Sequence, residues 1–502
     1  MSQRGIVMNS KPRVIITTDM EVDDMNSILH LCLHLDQLDV QGIIYTSSQF
    51  HFNGDGKHTL EEIQPHYLCQ GEAAYKTHTG YPHPDPEAGK LKSYRPFPMG
   101  WLESLWKNEY AEAYKHLSKN SADFPTPEYL LSITKYGNYE FEGDVRFDTD
   151  GSDLIKNAIL DEDERILYLL SWGGANTIVR ALMSIAARYK ETTVWGKIYH
   201  KVISKVRIAG IIHGVGQDNT FQDYCLPTYP DIKVLWPEHM YGSYFAARMA
   251  PTSYRYTYQA EWLKKNIKFG HGTLMGKYHL FGDGTYLEGE PDKFQYGITP
   301  VLDWGYDRIP RMEFKPYSFL GEGDSITYVF LLDVGLRGLE NGQYGTLEGR
   351  VFAEGEARPE PGYDFVDEGN NGPDRFLRAY QEEWAARADW CVKDYAQCNH
   401  APIVSAEQAD IYGEPGEIVR LSASAEDPDG DCLNHYWFYY PQGSRYEGGA
   451  DDIRVWEPLR LSTSFRIPSD ARPGDEFNFI LEVQDEAEKP ITRYAQVIVK
   501  VK

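Results

Sequence analysis

The chain has 502 residues, of which 42% are hydrophobic and 25% are charged, a composition typical of a folded protein with more than one domain. Asp and Glu together number 75 and Lys and Arg 50, so the formal net charge is −25. Such a surface repels phosphate backbones and anionic lipid, and no run of Lys and Arg offers a local basic patch. We therefore expect neither nucleic acid nor a membrane as a partner.

The N-terminal segment and the cysteines say little about the compartment. The first residues lack the apolar stretch of a signal peptide. The protein is cytoplasmic if this start is native, and periplasmic or secreted if a signal was removed, so the localisation stays unknown. Among the six cysteines, only Cys391 and Cys398 are close enough in sequence to suggest a local disulfide.

Strand and helix patterns alternate through the first part of the chain. The β-branched run Arg13–Thr18 is typical of a buried parallel strand, and apolar residues at helical spacing follow it. Further strands are predicted at 40–46, 165–170, 205–212 and 232–236, with helices at 101–117 and 177–189. This order predicts an α/β fold with a mostly parallel, doubly wound sheet. Residues 80–143 resemble an insertion lying over the strand ends.

A different pattern begins near residue 399. Alternating segments at 418–424, 433–440, 477–484 and 494–501 are separated by turn clusters, one of which carries Asp427, Asp429 and Asp431. The pattern predicts a small all-β, immunoglobulin-like sandwich with Trp437 on a central strand. We therefore divide the chain into an α/β domain at 1–395 and a β-sandwich domain at 399–502.

The most informative segment is an acidic turn directly after the first strand. Its four carboxylates, within six residues, belong to Asp19, Glu21, Asp23 and Asp24. They would repel one another, and a helix N-terminus together with a bound divalent cation could offset that repulsion. An ordinary helix cap would explain one such residue. Four at the carboxyl end of a strand predict a metal site.

This turn resembles the Asp-Thr-Asp-x-Gly-x-Asp-Asp loop of the nucleoside hydrolase family. Asp19, Asp23 and Asp24 match its last three acidic positions, whereas Thr17 stands at the first Asp and Glu21 at the Gly. The resemblance implies that Asp19 is both a calcium ligand and the base for the attacking water. It also implies that Asp23 holds a sugar hydroxyl and that Asp24 is a bidentate calcium ligand.

The resemblance continues at three later points. The segment ending in Asn176 is similar to one that lends calcium a backbone carbonyl, and Asp324 is similar to the Asp that closes the calcium shell. Within 208–236, Asp223 stands in place of a sugar-binding Glu and Cys225 in place of an Asn. The resemblance thus implies Ca²⁺ as cofactor, held by Asp19, Asp24, Asn176 and Asp324.

The sequence departs from nucleoside hydrolases where they contact ribose and base. Gly323 replaces a His that protonates a purine leaving group, and Gln49, followed by His51, replaces an Asn. Together with the C-terminal domain, these departures most resemble the nucleoside-hydrolase-like cellulose-binding protein family. Nucleoside hydrolases are commonly oligomeric, so a homo-oligomer is among the expectations.

The resemblance and the residues together predict a calcium-dependent hydrolase of glycosidic bonds in a carbohydrate, an oligosaccharide or a polysaccharide. Asp223, Asp23 or Glu21 would stabilise an oxocarbenium-like transition state. His51 and Asp218 are candidates near strand ends, and Trp172 could stack on a sugar or belong to the core. One alternative is a nucleoside hydrolase acting on a nucleoside. The other is a polysaccharide-binding protein without catalysis, for which a preserved base at Asp19 is less needed.

Overall fold

The computed structural model of the chain describes residues 11–48, 51–55, 57, 98–211, 217–238, 250, 254–285, 315–353, 375–449 and 453–502. Contacts between Cα atoms divide the chain into two units. The first comprises Met1–Asn108, Asp123–Leu235 and Tyr286–Lys293, and the second comprises Glu109–Ala122, Trp236–Thr285 and Phe294–Lys502. Within the described residues, no helix is both long and apolar enough to span a membrane.

The strands and helices alternate in the first half of the chain, and strands dominate its C-terminal part. The strands are β1 (Arg13–Thr18), β2 (Asp39–Tyr45), β3 (Thr134–Tyr136), β4 (Leu167–Trp172), β5 (Val206–Ala209), β6 (Lys233–Pro237), β7 (Leu280–Phe281), β8 (Ser318–Phe319), β9 (Val351–Ala353), β10 (Ile403–Ala406), β11 (Asp410–Gly413), β12 (Ile418–Glu426), β13 (Leu433–Tyr439), β14 (Ser462–Arg466), β15 (Glu476–Asp485) and β16 (Thr492–Val501). The helices are α1 (Val22–Leu31), α2 (Trp101–Leu105), α3 (Ala111–Asn120), α4 (Pro127–Ile133), α5 (Asp150–Leu160), α6 (Asn176–Tyr189), α7 (Trp195–Lys205), α8 (Leu226–Thr228), α9 (Ala260–Leu263), α10 (Gly272–Gly276), α11 (Ile326–Val329) and α12 (Arg375–Asp389). Single π-helical turns at Trp106–Tyr110, Phe221–Cys225 and Lys264–Lys268 adjoin some of these helices.

The first unit contains a parallel sheet with the strand order β3-β2-β1-β4-β5-β6. All six residues of β1 are buried, as expected of a central parallel strand covered on both faces. The helix α1 follows β1 after three residues and carries Asp23 and Asp24 in its first turn. The helix dipole stabilises negative charge at this position. The prediction of a mostly parallel α/β sheet is confirmed, and β1 has the predicted bounds.

One segment of the sheet differs from the sequence-based expectation. Residues Thr134–Tyr136 lie within the segment interpreted as an insertion, yet they pair in parallel with β2 as β3. The Tyr136 ring stacks on Tyr45 with ring centroids 5.0 Å apart, and both hydroxyls donate to the Glu103 carboxylate. Part of the predicted insertion is therefore a strand of the sheet itself.

The second unit contains antiparallel sheets in its C-terminal part. Their strand orders are β10-β12-β14 and β11-β16-β15-β13. Among the described strand pairs of these two sheets, β11 and β16 are parallel and the others are antiparallel. Residues of both sheets share one buried cluster, in which Trp437 is 1% exposed. The predicted all-β C-terminal region is confirmed, whereas its immunoglobulin-like type stays a prediction.

The predicted disulfide is absent. Cys391 and Cys398 are both free thiols, and the Cys398 thiol lies 3.8 Å from the backbone carbonyl of Lys393. Cys391 follows the C-terminal end of α12 and is fully buried, and burial raises its pKa well above the ordinary value. Proximity in sequence did not bring the two sulfur atoms together.

Candidate functional site at the carboxyl ends of β1 and β4

The strand order of the first unit reverses between β1 and β4. From β1 the chain proceeds to β2 and β3 on one side, and from β4 it proceeds to β5 and β6 on the other. Thr18 pairs with Trp172, and the Asp19 backbone N–H donates to the Trp172 carbonyl at 3.1 Å. In open α/β sheets, ligands bind at this reversal point, beyond the carboxyl ends of the strands. The acidic turn and the glycine pair after Trp172 are therefore adjacent where a ligand is expected.

Asp19 begins the acidic loop and is almost completely buried, at 1% exposure. One oxygen of its carboxylate accepts from the Glu21 backbone N–H at 3.4 Å. The intervening Met20 is buried and has a φ of +60°, a left-handed conformation that is unfavourable for a residue with a side chain. Strain of this kind, about 1–3 kcal/mol, persists where the surroundings impose it and is concentrated at functional sites.

Asp23 and Asp24 lie in the first turn of α1. Asp24 is 2% exposed and accepts a hydrogen bond from the Thr18 hydroxyl, whereas Asp23 is half-buried. A carboxylate oxygen of Asp23 lies within 4.8 Å of one of Asp24. Two oxygens that bind the same Ca²⁺ at about 2.3–2.6 Å each can be up to about 5 Å apart. The pair therefore fits a calcium ion, and Asp23 joins the residues that could hold one.

The two glycines after β4 leave no room for side chains. Gly173 has a φ of +106°, and a Cβ there would lie 2.9 Å from the Asp19 side chain. A Cβ on Gly174 would lie 2.3 Å from both the Ser47 carbonyl and the Asp218 carboxylate. The backbone of this turn thus approaches the acidic residues as closely as glycine allows.

Asn176 is fully buried, and its side chain is hydrogen-bonded within the protein interior. Its amide nitrogen donates to Ser47 Oγ at 3.1 Å and to the carbonyls of Asn138 at 2.6 Å and Asp144 at 3.0 Å. Its amide oxygen accepts from the Thr46 hydroxyl at 2.8 Å. With its side chain committed in this way, Asn176 positions the turn, and only its backbone carbonyl corresponds to the predicted ligand.

Asp218 holds the same turn from the other side. It is fully buried, and it accepts from the backbone N–H groups of Asn176 at 3.1 Å and Thr220 at 2.8 Å. Burial raises the pKa of Asp218 to about 6, although these hydrogen bonds to the carboxylate act in the opposite direction. The contacts assign Asp218 to the support of the Gly174–Asn176 backbone, whereas the sequence placed it among substrate-binding residues.

Of the remaining residues of the first unit that were predicted to bind or act on a sugar, those described are less well placed for that role than the acidic residues. Trp172 is completely buried, so its ring exposes no face for stacking in this structure, and His51 is also buried, in a turn with Ser48. Asp223 is exposed on a helical turn whose buried residues are Phe221 and Cys225, and none of its described contacts joins it to the acidic loop. Gln49 lies outside the described residues.

Asp324 belongs to the second unit. Its backbone carbonyl accepts from Thr327 N at 3.0 Å and from Thr327 Oγ1 at 2.8 Å, at the start of α11. Two residues earlier, Glu322 is fully buried and accepts hydrogen bonds from the hydroxyls of Tyr278 and Ser325. These contacts fix the turn that carries Asp324, and its part in a calcium shell stays a prediction.

The role of Thr18 was not recognisable from the motif alone. Its hydroxyl donates to Asp24 and accepts from the Met20 backbone N–H at 3.1 Å, so it links both ends of the acidic loop. Neighbouring Thr17, equally buried, instead donates to the Leu170 carbonyl at 3.4 Å within the sheet. The alternation of side chains along β1 was the available signal, because it points consecutive threonines to opposite faces.

Comparisons with known proteins place the chain in one class, the nucleoside-hydrolase-like α/β proteins. Residues 13–351 match the model described as cellulose-binding Sde182, nucleoside hydrolase-like domain, and residues 418–501 match that of the cellulose-binding protein Sde0182, C-terminal domain. Because the first match covers more than half of the chain, the protein belongs to this cellulose-binding, nucleoside-hydrolase-like family. No curated protein matches the chain.

A solved structure agrees on the fold. A nucleoside hydrolase-related hypothetical protein from Saccharophagus degradans, described as associated with carbohydrate metabolism, is 23% identical, with a TM-score of 0.65. The match covers 98% of this chain and 100% of that one, and at this identity it shows the fold alone. A PapD-like domain of human CEP192 is 12% identical over 21% of this chain and 87% of its own, and its TM-score of 0.15 carries no argument.

Proposed function

We propose that the protein is a calcium-dependent hydrolase of glycosidic bonds in a carbohydrate, with Asp19 as the base that activates water. The observation that carries the proposal is the placement of the buried Asp19 and Asp24 where the strand order reverses, beside a turn without side chains. Membership of a family described as cellulose-binding supports a carbohydrate as the ligand.

The donor set suits a hard cation. Carboxylates of Asp19, Asp23 and Asp24 and the backbone carbonyl of Asn176 are oxygen ligands of the type that Ca²⁺ prefers, with Asp324 as the predicted further ligand. When bound, the ion would supply positive charge that orients sugar hydroxyls and a water molecule.

Different residues of the chain would then take the separate steps of the reaction at the anomeric carbon. Asp19, held by backbone contacts from Glu21 and to Trp172, would accept the proton of the attacking water. Asp23, the more exposed of the pair in α1, would accept a hydrogen bond from a sugar hydroxyl, and Glu21 lies close enough in sequence to stabilise positive charge on the ring. Gly173 and Gly174 would let the sugar approach the backbone.

A turnover screen with added calcium tests the proposal. Purified protein is incubated with cello-, xylo- and manno-oligosaccharides and, separately, with inosine and uridine, and released sugar is measured. We expect sugar from an oligosaccharide, with activity lost in Asp19→Asn and in excess EGTA. Glu162→Gln, which removes a carboxylate 99% exposed to solvent, is the matched control.

The other outcomes each select a different function. Release of ribose from a nucleoside would place the protein with the nucleoside hydrolases in activity as well as in fold. Retention on insoluble cellulose without turnover of any substrate would leave a binding protein that has kept the acidic loop. Full activity in Asp19→Asn would exclude that residue as the base.

A further inference from the structure

The calcium ligand that the second unit would contribute lies on a turn held by a buried polar network. Asp324 is half-buried, whereas Glu322, two residues before it, and Ser325, directly after it, are fully buried. Glu322 accepts hydrogen bonds from the hydroxyls of Tyr278 and Ser325. The Ser325 backbone N–H also donates to the Glu322 carbonyl, at 3.2 Å. Side-chain and backbone contacts therefore close the turn around Asp324.

The network continues to helix α12 through phenol groups. The Ser325 hydroxyl lies 3.3 Å from that of Tyr328, which in turn lies 2.8 Å from the hydroxyl of Tyr380 on α12. The Tyr278 ring packs against Trp384, also on α12, with ring centroids 4.9 Å apart. Burial raises the pKa of Tyr278 and of Tyr380 well above the ordinary value, so both hydroxyls keep their protons. Two separate contacts thus connect the turn to one helix.

The same helix is attached to the C-terminal sheets. The guanidinium group of Arg493 on β16 donates to both carboxylate oxygens of Glu383 on α12, at 2.7 and 2.9 Å. The Phe376 ring of α12 lies edge-on to Tyr494 of β16, with ring centroids 5.4 Å apart. Within 376–388, every residue but one is buried. A helix enclosed in this way cannot shift without displacing its close-packed neighbours, so the sheets fix the position of α12.

The position of a metal ligand depends on the residues that hold it. Substitution of residues that orient a ligand typically changes metal affinity about 10- to 100-fold. The contacts behind Asp324 are directional, because a carboxylate only accepts hydrogen bonds and a guanidinium group only donates them. We infer that the C-terminal sheets take part in calcium binding by holding Asp324 in place through α12, with Glu322, Tyr380 and Arg493 as positioning residues. The inference rests on the proposed function, in which Asp324 is a calcium ligand.

A purely structural role predicts a different result. If these contacts only stabilise the fold, their loss lowers the unfolding temperature and leaves the affinity of the folded protein for calcium unchanged. If they position Asp324, the Kd for calcium rises as well. Affinity and stability therefore have to be measured on the same variants.

Calorimetric titration of the full chain with Ca²⁺ alone, paired with thermal unfolding in EGTA, tests the inference. The variants remove one contact each at successive distances from the turn, namely Glu322→Gln, Tyr380→Phe and Arg493→Gln. Asp324→Asn shows the effect of losing the ligand itself.

Two matched controls lose a similar contact elsewhere. Tyr229→Phe removes a buried hydroxyl of the first unit that donates to the Leu182 carbonyl at 3.0 Å. Lys500→Gln removes a cation of β16, the strand that carries Arg493, but its partner at 3.1 Å is Asp410. Neither residue belongs to the contacts between the Asp324 turn, α12 and the sheets described above.

We expect the Kd for Ca²⁺ to rise about tenfold or more in Glu322→Gln and about threefold or more in Tyr380→Phe and Arg493→Gln, and to stay unchanged in both controls. If Glu322→Gln does not fold, the other two variants decide. An unchanged Kd in either Tyr380→Phe or Arg493→Gln would overturn the inference, and so would an equal rise in the controls.

Two reference variants separate this inference from the proposed function. Calcium binding that is lost in Asp24→Asn but unaffected in Asp324→Asn would leave the acidic loop as a metal site and overturn this inference alone. Absence of calcium binding by the wild type would overturn both.

Discussion

Two regions of the protein gather carboxylates, and they stabilise them in different ways. In the acidic loop, neutral groups donate to the carboxylates: the Thr18 hydroxyl to Asp24, and backbone N–H groups to Asp19 and Asp23. In the second unit, the donors to Asp389 are the ammonium groups of Lys393 and Lys489 and the imidazole of His271. Neutral donors leave the negative charge of a carboxylate available to a cation, whereas an ammonium group neutralises it. The first arrangement suits a metal site and the second a structural role.

The largest expected effect concerns the metal. Asp24→Asn should reduce calcium binding below detection in a calorimetric titration at millimolar calcium, because it removes a buried carboxylate next to Asp23. Asp389→Asn, in contrast, should leave calcium binding unchanged. A calcium affinity that survives in Asp24→Asn and falls in Asp389→Asn would reverse the assignment of the two regions.

Next in size is the stability that Asp389 provides. Burial acts to raise the pKa of this carboxyl, but hydrogen bonds from His271 and Lys489 outweigh it and hold the pKa well below the ordinary 3.8. Asp389→Asn should lower the free energy of unfolding by about 3 kcal/mol at pH 7, since it leaves the largely buried Lys489 ammonium group without its carboxylate partner. The difference from the wild type should persist above pH 3.8 and shrink as the pH falls below it.

Denaturant unfolding at a series of pH values measures this difference. The matched control is Asp394→Asn, which also loses a lysine partner, Lys119 at 2.8 Å, but lies at the surface. Its effect should be much smaller, because exposed ion pairs contribute little. Equal losses in the two variants would show that burial is not what gives the Asp389 pairs their strength.

Two glycine substitutions distinguish the cost of backbone strain from the cost of steric crowding. Gly173→Ala should cost about 2 kcal/mol or more, because a Cβ would meet Asp19 at 2.9 Å in addition to the unfavourable φ. Gly270→Ala, at a φ of +86° in the second unit with nothing within 4 Å, should cost about 1 kcal/mol through its φ alone. Thermal unfolding of both variants gives the comparison. Equal losses would mean that the turn after β4 can move away from the acidic loop.

The smallest predicted effect distinguishes the two threonines of β1. Thr18→Val removes a donor to a buried carboxylate and should cost about 1.5 kcal/mol, while Thr17→Val removes one long hydrogen bond and should cost less than about 1 kcal/mol. Denaturant unfolding of both variants measures these costs. Thr18→Val should also weaken calcium binding. A larger loss in Thr17→Val would contradict the role assigned to Thr18.

Local patterns explain what the sequence could predict. The bounds of β1 and the strands of the C-terminal region follow from buried runs and strict alternation, which neighbouring residues define by themselves. The acidic loop was recognisable because its carboxylates are contiguous. The strand β3 was missed because three residues are too few to show a period, and its pairing with β2 depends on partners far away in sequence.

The parts that could not be predicted depend on which segments meet. Nothing near Asp218 in sequence indicates that it accepts from the Asn176 backbone, 42 residues away. Nothing near His271 indicates that its imidazole would lie beside Lys489, 218 residues away. The exposure of Asp223 follows from which face of its helical turn is apolar, and that face was recognisable only once Phe221 and Cys225 were seen to be buried.

The short strand β3 has a consequence for the behaviour of the protein in concentrated solution. It lies at the end of the strand order in the first unit and is only three residues long. A terminal strand is a template on which another chain can add a strand, and a long, flat one promotes self-association. Three residues offer few backbone hydrogen bonds to such a chain. The short strand, with the charged Lys135 at its centre, therefore protects this end of the sheet from fibrous aggregation.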